Sequence, residues 1–318
     1  MSDHSATSGV NMSSTNYSGT GTTSQVEDAN LVAKYDNARV IASVLQTILL
    51  KNKSDEFKKK DTQQLAIVTL SHSGITFTVE CGKQFQATAQ LKASLFATYM
   101  FNPPPNEESI IFKINLSILM DCLNIFSGNN SSAYTAITII QRSGQPFTVL
   151  LEENATQTSC SLKTMNCDAP LEFDIDCAPF NRLLVSAENL LEAFGEIDYS
   201  SQSVNIWISN PVPTQQAPNP PMFRLTTNGS AGSFQVEYGE ELFEYKECNK
   251  PTITYSFPLA LIQPAIKALA VTNKTRITMN AAGLLNFQHF IMTEEKKFPH
   301  LVEFYIVAQQ DTNEMHMG

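Results

Sequence analysis

The chain has 318 residues, a formal net charge of −10 and 16% charged residues, and a hydrophobic share of 42% is enough for a core. The acidic balance argues against a protein that coats nucleic acid by bulk charge. No apolar run is long enough to predict a membrane helix, and the first residues lack the basic start and apolar stretch of a secretory signal. The composition therefore predicts an intracellular protein of one large domain or two ordinary ones.

The patterns of cysteine and asparagine residues indicate whether the protein is intracellular or secreted. The six cysteines include no Cys-x-x-Cys pair, and no histidine stands at a zinc-site spacing from them, so they are predicted to be reduced thiols. Asn-x-Ser/Thr sequons recur because the chain is rich in Asn, Ser and Thr. In a secreted protein they would indicate glycosylation, so a secreted adhesion protein stays open as a minor alternative.

Ordered structure is predicted to begin after a polar tail. Residues 1–27 carry hardly any apolar side chain and are predicted to be disordered. Leu31–Tyr35 is a strand pattern, and Asp36 is placed as the N-cap of a helix that runs to about Leu49 at helical apolar spacing. The basic run 51–61 predicts an exposed loop.

Strand patterns fill the rest of the first half, and one short helix interrupts them. Asn115 is placed at the start of this helix, which spans 116–126. The predicted strands are 64–70, 75–81, 84–91, part of 93–101, 110–114, 134–141, 147–152 and 157–165.

The same order then starts again. Leu171–Asp176 matches the first strand and its aspartate at an offset of 140 residues (171 − 31 = 140). A third helix is predicted to carry Phe180 through Phe194, and a fourth to span 259–270. The remaining predicted strands are 203–209, 222–227, 233–238, 241–247, 252–257, 274–280, 284–291 and 302–308. This repeat predicts an α+β protein of two similar domains. The domains span 28–164 and 171–309, with a linker at 165–170 and a C-terminal tail at 310–318.

Several sequence blocks resemble the DNA sliding-clamp family, whose best-known member is proliferating-cell nuclear antigen. They are Leu31–Arg39, Gly74–Glu80, Phe112–Phe126, which is the most specific, Leu190–Asp198 and Phe223–Gly232. Within that family the chain is most similar to subunits of the DNA-damage checkpoint clamp. The resemblance covers roughly residues 30–308. It implies two tandem clamp domains, with helices lining the hole of a ring and antiparallel sheets outside.

The resemblance also implies partners and a function. Two clamp domains make about a third of a six-domain ring, so two other clamp subunits are implied. An ATP-dependent loader, double-stranded DNA bound without sequence preference, and docked repair and checkpoint proteins are implied as well. The function implied is a non-catalytic subunit of a heterotrimeric checkpoint clamp in the nucleus, with no cofactor and no membrane contact. A homotrimeric replication processivity clamp is the alternative within the class.

Helices that line a ring would meet phosphate oxygens through Lys and Arg. The second helix has neither and carries Asp121. The predicted DNA-facing residues are Arg39 on the first helix, Arg182 on the third, Lys267 on the fourth, and the loop lysines Lys51, Lys53, Lys58, Lys59 and Lys60. This sparse lining predicts weak, salt-sensitive binding by an assembled ring.

Clamp subunits join edge to edge by strand pairing. By their position in the chain, two strands are predicted to form these interfaces; the alternative is that both pair within the chain. The predicted interface residues are Cys160, Leu162 and Thr164 in one strand and Phe234, Val236 and Tyr238 in the other. Partner motifs would dock beside the linker. The candidates by position are Leu49, Leu50, Met165, Pro170, Val307 and Ala308, with core packing equally open for Leu49 and Val307.

No catalytic motif is present. The chain has no His-Glu-x-x-His, no Gly-x-Ser-x-Gly elbow and no phosphate-binding loop. Asp174 and Asp176 would share one face of a strand and could hold a metal, but an Asp176 that caps a helix is favoured. The sequence thus predicts neither an enzyme nor a metal site. A 3'-5' exonuclease that uses these aspartates and histidines is the alternative of a different class.

Overall fold

The structure is a computed structural model. It describes residues 28–50, 64–126, 135–212, 214–215, 219–230, 232–292 and 299–309. The tails predicted at 1–27 and 310–318 and the loop predicted at 51–61 lie outside the described residues.

The chain divides into two compact units. Unit 1 comprises Met1–Phe77 and Gln90–Ala169, and unit 2 comprises Thr78–Ala89 and Pro170–Gly318. The boundary after Ala169 falls within the predicted linker. Residues 78–89, which the sequence analysis places in the first domain, belong to unit 2, and the predicted domain limits stay a prediction.

In its described residues, unit 1 contains two helices and antiparallel strands. The helices are α1 (Ala38–Thr47) and α2 (Leu116–Leu123). Its five-stranded sheet has the spatial order β5 (Thr98–Phe101), β1 (Leu31–Tyr35), β7 (Ala136–Gln141), β8 (Phe147–Glu153) and β9 (Thr156–Leu162). A further pair consists of β2 (Leu65–Ser71) and β6 (Ser109–Asn115). A turn at 82–84 joins β3 (Gly74–Cys81) to β4 (Phe85–Lys92), and the unit boundaries cross both strands.

The described residues of unit 2 also form two helices and antiparallel strands. Its helices are α3 (Ala187–Gly195) and α4 (Leu259–Ala268). One run of neighbouring strands is β14 (Phe243–Cys248), β10 (Phe180–Ser186), β16 (Lys274–Asn280), β17 (Leu284–Ile291) and β18 (His300–Val307). A four-stranded sheet has the order β13 (Gly232–Tyr238), β12 (Phe223–Gly229), β11 (Ser203–Ser209) and β15 (Thr252–Pro258).

The internal repeat is present in the topology. The order β5-β1-β7-β8-β9 in unit 1 corresponds to β14-β10-β16-β17-β18 in unit 2, and the pair β2–β6 corresponds to β11–β15. Each unit packs two helices against antiparallel strands. The predicted α+β class is therefore confirmed.

The start of the second half was predicted wrongly. Residues 171–176 form no strand, and the third helix begins at Ala187. Because Ala38 begins the equivalent helix of unit 1, the structural offset is 149 residues (187 − 38 = 149) rather than 140.

Strand pairing explains why residues 180–186 are not helical. Leu183 and Val185 are fully buried, whereas Arg182 and Leu184 are only partly buried, which is the alternation of a strand. The segment pairs with β16 on one side and β14 on the other. Its leucines also fit helical spacing, so the local pattern was ambiguous and the long-range partners decided it.

Two of the helices begin with a capping side chain, and one predicted cap is corrected. Asn115 was predicted to begin α2, and its Oδ1 accepts a hydrogen bond of 3.1 Å from the Ile118 N–H. Ser186 caps α3 in the same way. The N-cap of α1 is Asn37, so the prediction of Asp36 is wrong by one residue.

Two further ends were predicted too late. α2 ends at Leu123 rather than 126, and β9 ends at Leu162 rather than 165.

Each helix buries an apolar face against its own unit. On α1 the side chains of Ile41, Val44 and Leu45 are at most 1% exposed. On α3 Phe194 is fully buried and meets the ring of Phe287 at a centroid distance of 6.2 Å. The opposite face of each helix is consequently free to present polar side chains.

Candidate functional site

The outward face of α1 carries one of the predicted basic residues. Arg39, Ser43 and Gln46 are exposed and stand at the spacing of one helix face. Arg39 lies in the first turn of α1, one residue after its start. The structure thus brings a single cation to the outward face of this helix.

The outward face of α4 carries the second. Lys267 is exposed and lies in the last turn of the helix. A cation at this end is stabilised by the partial negative charge of the terminal carbonyl groups. Lys267 is therefore placed as the sequence predicts.

The outward face of α3 is acidic, which was not predicted from the sequence. Glu188, Glu192 and Glu196 follow one another at intervals of four residues along α3 and its C-cap, and all three are exposed. The four-residue spacing of these glutamates in the sequence could have predicted the acidic face. It was missed because the third helix was predicted to begin at Phe180 rather than at Ala187. α2 adds the exposed Asp121, so the outward helix charges of the described residues are more acidic than basic.

Arg182 does not lie on the third helix, so that placement is wrong. It lies on β10, where its guanidinium donates hydrogen bonds to Asp176 (3.0 Å), Glu247 (3.1 Å) and Thr278 (3.2 Å). It also stacks over the ring of Phe180 at 4.2 Å. Two carboxylates thus already neutralise the charge that was predicted to meet DNA.

The remaining predicted DNA-facing residues form the basic loop. Lys51, Lys53, Lys58, Lys59 and Lys60 lie outside the described residues. Their contact with DNA stays a prediction.

The first predicted interface strand lies at a sheet edge. Within the described part of the chain, β9 has a strand neighbour only on the side of β8. Cys160 and Leu162 are 1% and 4% exposed, so their side chains belong to the core of unit 1, while Thr164 follows the end of the strand. Any interface at β9 therefore uses the strand backbone and the outward side chains that alternate with Cys160 and Leu162.

The second predicted interface strand is also an edge, and it is more exposed. Along the described ranges, β13 has a strand neighbour only on the side of β12. Phe234 is 41% exposed, and Val236 and Tyr238 are partly exposed. Burial raises the pKa of the Tyr238 phenol, and the neighbouring carboxylates of Glu192 and Glu196 raise it further. The C-terminal part of α3 therefore borders this strand.

Three of the predicted docking residues lie in unit 1. Met165 pairs with Lys113 on β6 through two backbone hydrogen bonds of 2.8 and 2.9 Å. Leu49 and Leu50 follow α1, and the Leu50 N–H donates to Oε1 of Gln64 at 2.7 Å. All three side chains are partly buried.

The other three lie in unit 2 and are also partly buried. Pro170 opens the second segment of the unit. The Val307 N–H donates to the Gln84 carbonyl at 2.9 Å, and the Ala308 N–H donates to the Gly283 carbonyl at 2.8 Å. That these six residues form a docking site stays a prediction.

The aspartates of the exonuclease alternative have structural partners. Oδ1 of Asp174 accepts a hydrogen bond of 3.0 Å from the Asp176 N–H, and Asp176 pairs with Arg182. Asp176 therefore does not cap a helix, contrary to the sequence analysis. Across the described ranges, no group of three or more His, Cys, Asp or Glu side chains could hold a metal ion.

The two histidines of the β17–β18 hairpin are buried rather than exposed to a substrate. Burial lowers the pKa of His289 to about 3 and also lowers that of His300. Their position is that of core residues.

In the portion of the chain that the structure describes, no helix has both the length and the apolar character needed to cross a membrane.

The chain matches a family of repair proteins and is similar to a known checkpoint protein. The family model of "Repair protein Rad1/Rec1/Rad17" matches residues 30–291. The cell cycle checkpoint protein RAD1 of Homo sapiens is 32% identical over 302 residues, which cover 92% of this chain and 98% of that protein.

Solved structures show the fold. PCNA from Thermococcus kodakaraensis superposes with a TM-score of 0.65 at 15% identity, covering 88% of this chain and 100% of that one. A chain of the PCNA2–PCNA3 complex from Sulfolobus tokodaii gives a TM-score of 0.64 at 13% identity, covering 87% and 99%. The fold is therefore the sliding-clamp fold, as predicted.

Proposed function

This chain belongs to the Rad1/Rec1/Rad17 family of repair proteins, and from that premise we propose that it is a non-catalytic subunit of a heterotrimeric checkpoint clamp that encircles DNA. The observation that carries the proposal is the coincidence of two findings. The family match spans most of the chain, and the same residues adopt the sliding-clamp fold. A checkpoint protein with this fold acts by enclosing DNA and presenting surfaces to other proteins.

The sheet edges support a ring built with partner chains. β9 in unit 1 and β13 in unit 2 each have a strand neighbour on one side only within the described residues. An exposed edge strand is a template for pairing with another chain. One of the fold neighbours is, by its name, a complex of two different PCNA chains, which is a precedent for clamps of unlike subunits.

The charge distribution supports a loose hold on DNA. Among the described helix residues on outward faces, Arg39 and Lys267 are the cations, and the basic loop 51–61 adds lysines by sequence. A few phosphate contacts give weak and salt-sensitive binding, because each neutralised phosphate adds one released counterion to the salt dependence. A closed ring stays on the DNA that it encloses, so it needs no higher affinity for the phosphates.

The other proposed properties follow from this role. A closed ring must be opened to admit DNA, so we expect an ATP-dependent loader as a partner. Repair and checkpoint proteins would dock on the clamp, with Leu49, Leu50, Met165, Pro170, Val307 and Ala308 as the proposed contacts. The nucleus is the proposed location, because the relative in Homo sapiens is named a cell cycle checkpoint protein.

The test combines this chain with the other two clamp chains of the same organism. We expect size-exclusion chromatography with light scattering to give a complex with one copy of each. After incubation with loader and ATP, the complex should remain on a nicked plasmid circle and be lost when the plasmid is cut to a linear form. The double variant Arg39→Gln/Lys267→Gln should weaken salt-sensitive DNA binding, whereas Lys92→Gln, an exposed strand residue, should not.

Two results would replace the proposal with an alternative. A stable trimer of the purified chain alone would identify a homotrimeric processivity clamp. Metal-dependent degradation of DNA that is lost in Asp174→Ala would identify a nuclease.

A further inference from the structure

The outer side of the unit 2 sheet carries a row of side chains with one arginine among them. Tyr245, Leu184, Arg276 and Gln288 stand opposite one another on β14, β10, β16 and β17. Directly opposed residues point to the same side of a sheet. Phe290 lies two residues after Gln288 on β17, so it belongs to the same side in the next row.

This side of the sheet faces away from the core. Leu183, Ile277 and Phe287 occupy the adjacent positions on three of these strands and are at most 1% exposed, so the core lies behind the other side of the sheet. Leu301 on β18 stands directly opposite Phe290 and completes the outer set. We call the following five side chains the Arg276 face: Leu184, Tyr245, Arg276, Phe290 and Leu301.

The Arg276 face is apolar around its cation and is open to solvent. Tyr245 is 51% exposed, and the other four side chains are partly exposed. In the neighbouring row the chain covers itself, because the ring of Phe173 stacks on that of Tyr305 at a centroid distance of 5.6 Å. Exposed apolar patches on soluble proteins mark interaction sites. The Arg276 face therefore has the character of a surface that another molecule covers.

Arg276 forms no salt bridge within the described part of the chain, unlike its cationic neighbours. Its Nη1 donates a hydrogen bond of 2.9 Å to Oε1 of Gln288, and its guanidinium lies 5.5 Å from the centroid of the Phe290 ring. Arg182 and Lys274 on the same side of the sheet are both paired with carboxylates. A guanidinium has five N–H donors, so Arg276 keeps donors for a carboxylate from outside.

One carboxylate lies in the same row but too far away to neutralise Arg276. Glu303 stands two strands from Arg276, which is about 10 Å at the usual strand spacing. Its Oε1 accepts a hydrogen bond of 2.8 Å from Nε2 of Gln288, which stands between them. Charges this far apart are largely screened, because the Debye length is about 8 Å at physiological ionic strength. The Arg276 face thus keeps a positive centre.

We propose that the Arg276 face binds a short extended segment of a partner protein, one that presents an Asp or Glu carboxylate between apolar side chains. The carboxylate would form the paired hydrogen bonds that guanidinium and carboxylate groups favour. The apolar side chains would pack on Leu184 and Tyr245 on one side of Arg276 and on Phe290 and Leu301 on the other. Arginine and tyrosine are among the residue types that most often anchor such contacts. This inference goes beyond the proposed function, because the face requires neither a closed ring nor DNA.

The width of the sheet sets the length of the segment. The strands from β14 to β18 span four spacings, or about 19 Å. An extended chain covers this distance with about six residues. A peptide of about 12 residues is therefore long enough to occupy the whole face.

The experiment selects peptides on the purified full chain from a displayed library of random sequences of about 12 residues. Selected peptides are then synthesised in two forms, one with its Asp and Glu residues intact and one with Asn and Gln in their place. Fluorescence anisotropy gives the dissociation constant of each form for the wild type, for Arg276→Gln and for the matched control Lys34→Gln. Lys34 is an exposed cation on β1, the strand of unit 1 that corresponds to β10.

We expect the selected peptides to carry acidic residues flanked by apolar ones. Arg276→Gln should bind the acidic form at least about tenfold more weakly than the wild type does, because a charge-assisted contact is lost. The amide form should also bind the wild type about tenfold more weakly, but it should not distinguish the wild type from Arg276→Gln. Lys34→Gln should bind both forms like the wild type.

Three results would overturn the inference. The first is a selection that yields no peptide, or only peptides that bind Arg276→Gln as tightly as the wild type. The second is that removal of the peptide carboxylates weakens binding to the wild type and to Arg276→Gln equally. The third is a dimer of the wild-type chain, measured by light scattering, that Arg276→Gln abolishes, which would make a second copy the occupant of this face.

Circular dichroism must show that Arg276→Gln keeps the wild-type fold. If it does not, Arg276→Lys is used, which keeps the charge but lacks the planar guanidinium, and a loss of about threefold or more for the acidic form is expected. Unchanged binding of the acidic form by Arg276→Lys would equally overturn the inference.

Discussion

The side chains of Thr275 and His289 share a hydrogen bond of 2.8 Å between Oγ1 and Nδ1 inside unit 2. Both residues are fully buried, and the imidazole is stacked on the ring of Phe287 and meets the edge of Phe304. Burial lowers the pKa of His289 to about 3, and the backbone carbonyl of Ala265 offsets this only in part. The imidazole is therefore neutral in the folded protein near neutral pH.

This buried histidine predicts a loss of stability in mild acid. The unfolded chain takes up a proton at an ordinary pKa near 6.5, whereas the folded chain does so only near pH 3. Stability is thus fully present above pH 6.5 and is lost as pH falls between these values. Between pH 7.5 and 5.5 we expect His289 to reduce the free energy of unfolding by about 1.4 kcal/mol. Urea denaturation at the two pH values measures it.

Two variants isolate the contribution of His289. His289→Gln should remove about 1.4 kcal/mol of the difference between the two pH values, whatever its own stability. His72→Gln, the same substitution at an exposed histidine, is the matched control. An unchanged pH dependence in His289→Gln would show that this residue is not the titrating group.

A second prediction concerns the anchoring of α3. Phe194→Ala should lower the free energy of unfolding by about 3–5 kcal/mol, because the substitution leaves a cavity beside Phe287. Leu191→Ala on the same helix should cost only about 0.5 kcal/mol, because its side chain is 43% exposed. Chemical denaturation of both variants measures the contrast, and equal losses would contradict the described orientation of the helix.

A third prediction concerns Arg182. Arg182→Gln should destabilise the protein by about 1–2 kcal/mol, because two charge-assisted hydrogen bonds are lost while their carboxylate partners remain partly hydrated. A double-mutant cycle with Asp176→Asn should reveal a favourable coupling energy that decreases at high salt. Zero coupling at low salt would mean that the ion pair does not form in solution. DNA binding by the assembled ring should stay at the wild-type level, in contrast to Arg39→Gln.

A fourth prediction concerns the turn between β2 and β3. Gly74 has a φ of +144°, and a Cβ at this position would overlap the carbonyl oxygen of Leu91. Because that obstacle is backbone, Gly74→Ala should cost about 2–3 kcal/mol. Gly144→Ala is the matched control: its φ is +67°, but a Cβ there would meet no atom within 4 Å, so about 1 kcal/mol is expected. Thermal unfolding of the two variants should preserve this order.

Local patterns in the sequence were sufficient for much of the fold. The apolar strand pattern of Leu31–Tyr35 and the helical apolar spacing of α1 predicted these elements, because both segments bury apolar side chains in a core. The Asn115 cap was readable because hydrogen bonding at the start of a helix depends on a few adjacent residues.

Longer-range features were not readable in this way. Residues 180–186 fit a helix by spacing and became a strand because β14 and β16 pair with it on both sides. Arg182, a predicted DNA contact, is instead the partner of Glu247 on β14 and of Asp176. Residues far apart in the chain supplied β14, β16 and Glu247, so no local window contained that information. Asp176 is only six residues from Arg182, but which side chain it meets depends on the strand conformation of 180–186.

The two strands predicted to join neighbouring subunits stay a prediction. The sequence by itself therefore determined the α+β class and the repeated order of elements. These depend on periodicity and position along the chain. Only the tertiary structure decided which charges remain outward: glutamates along α3, one cation each on α1 and α4, and a neutralised Arg182 on β10. The net charge of −10 counts all these groups alike. Folding decides which of them pair with one another and which still face a partner.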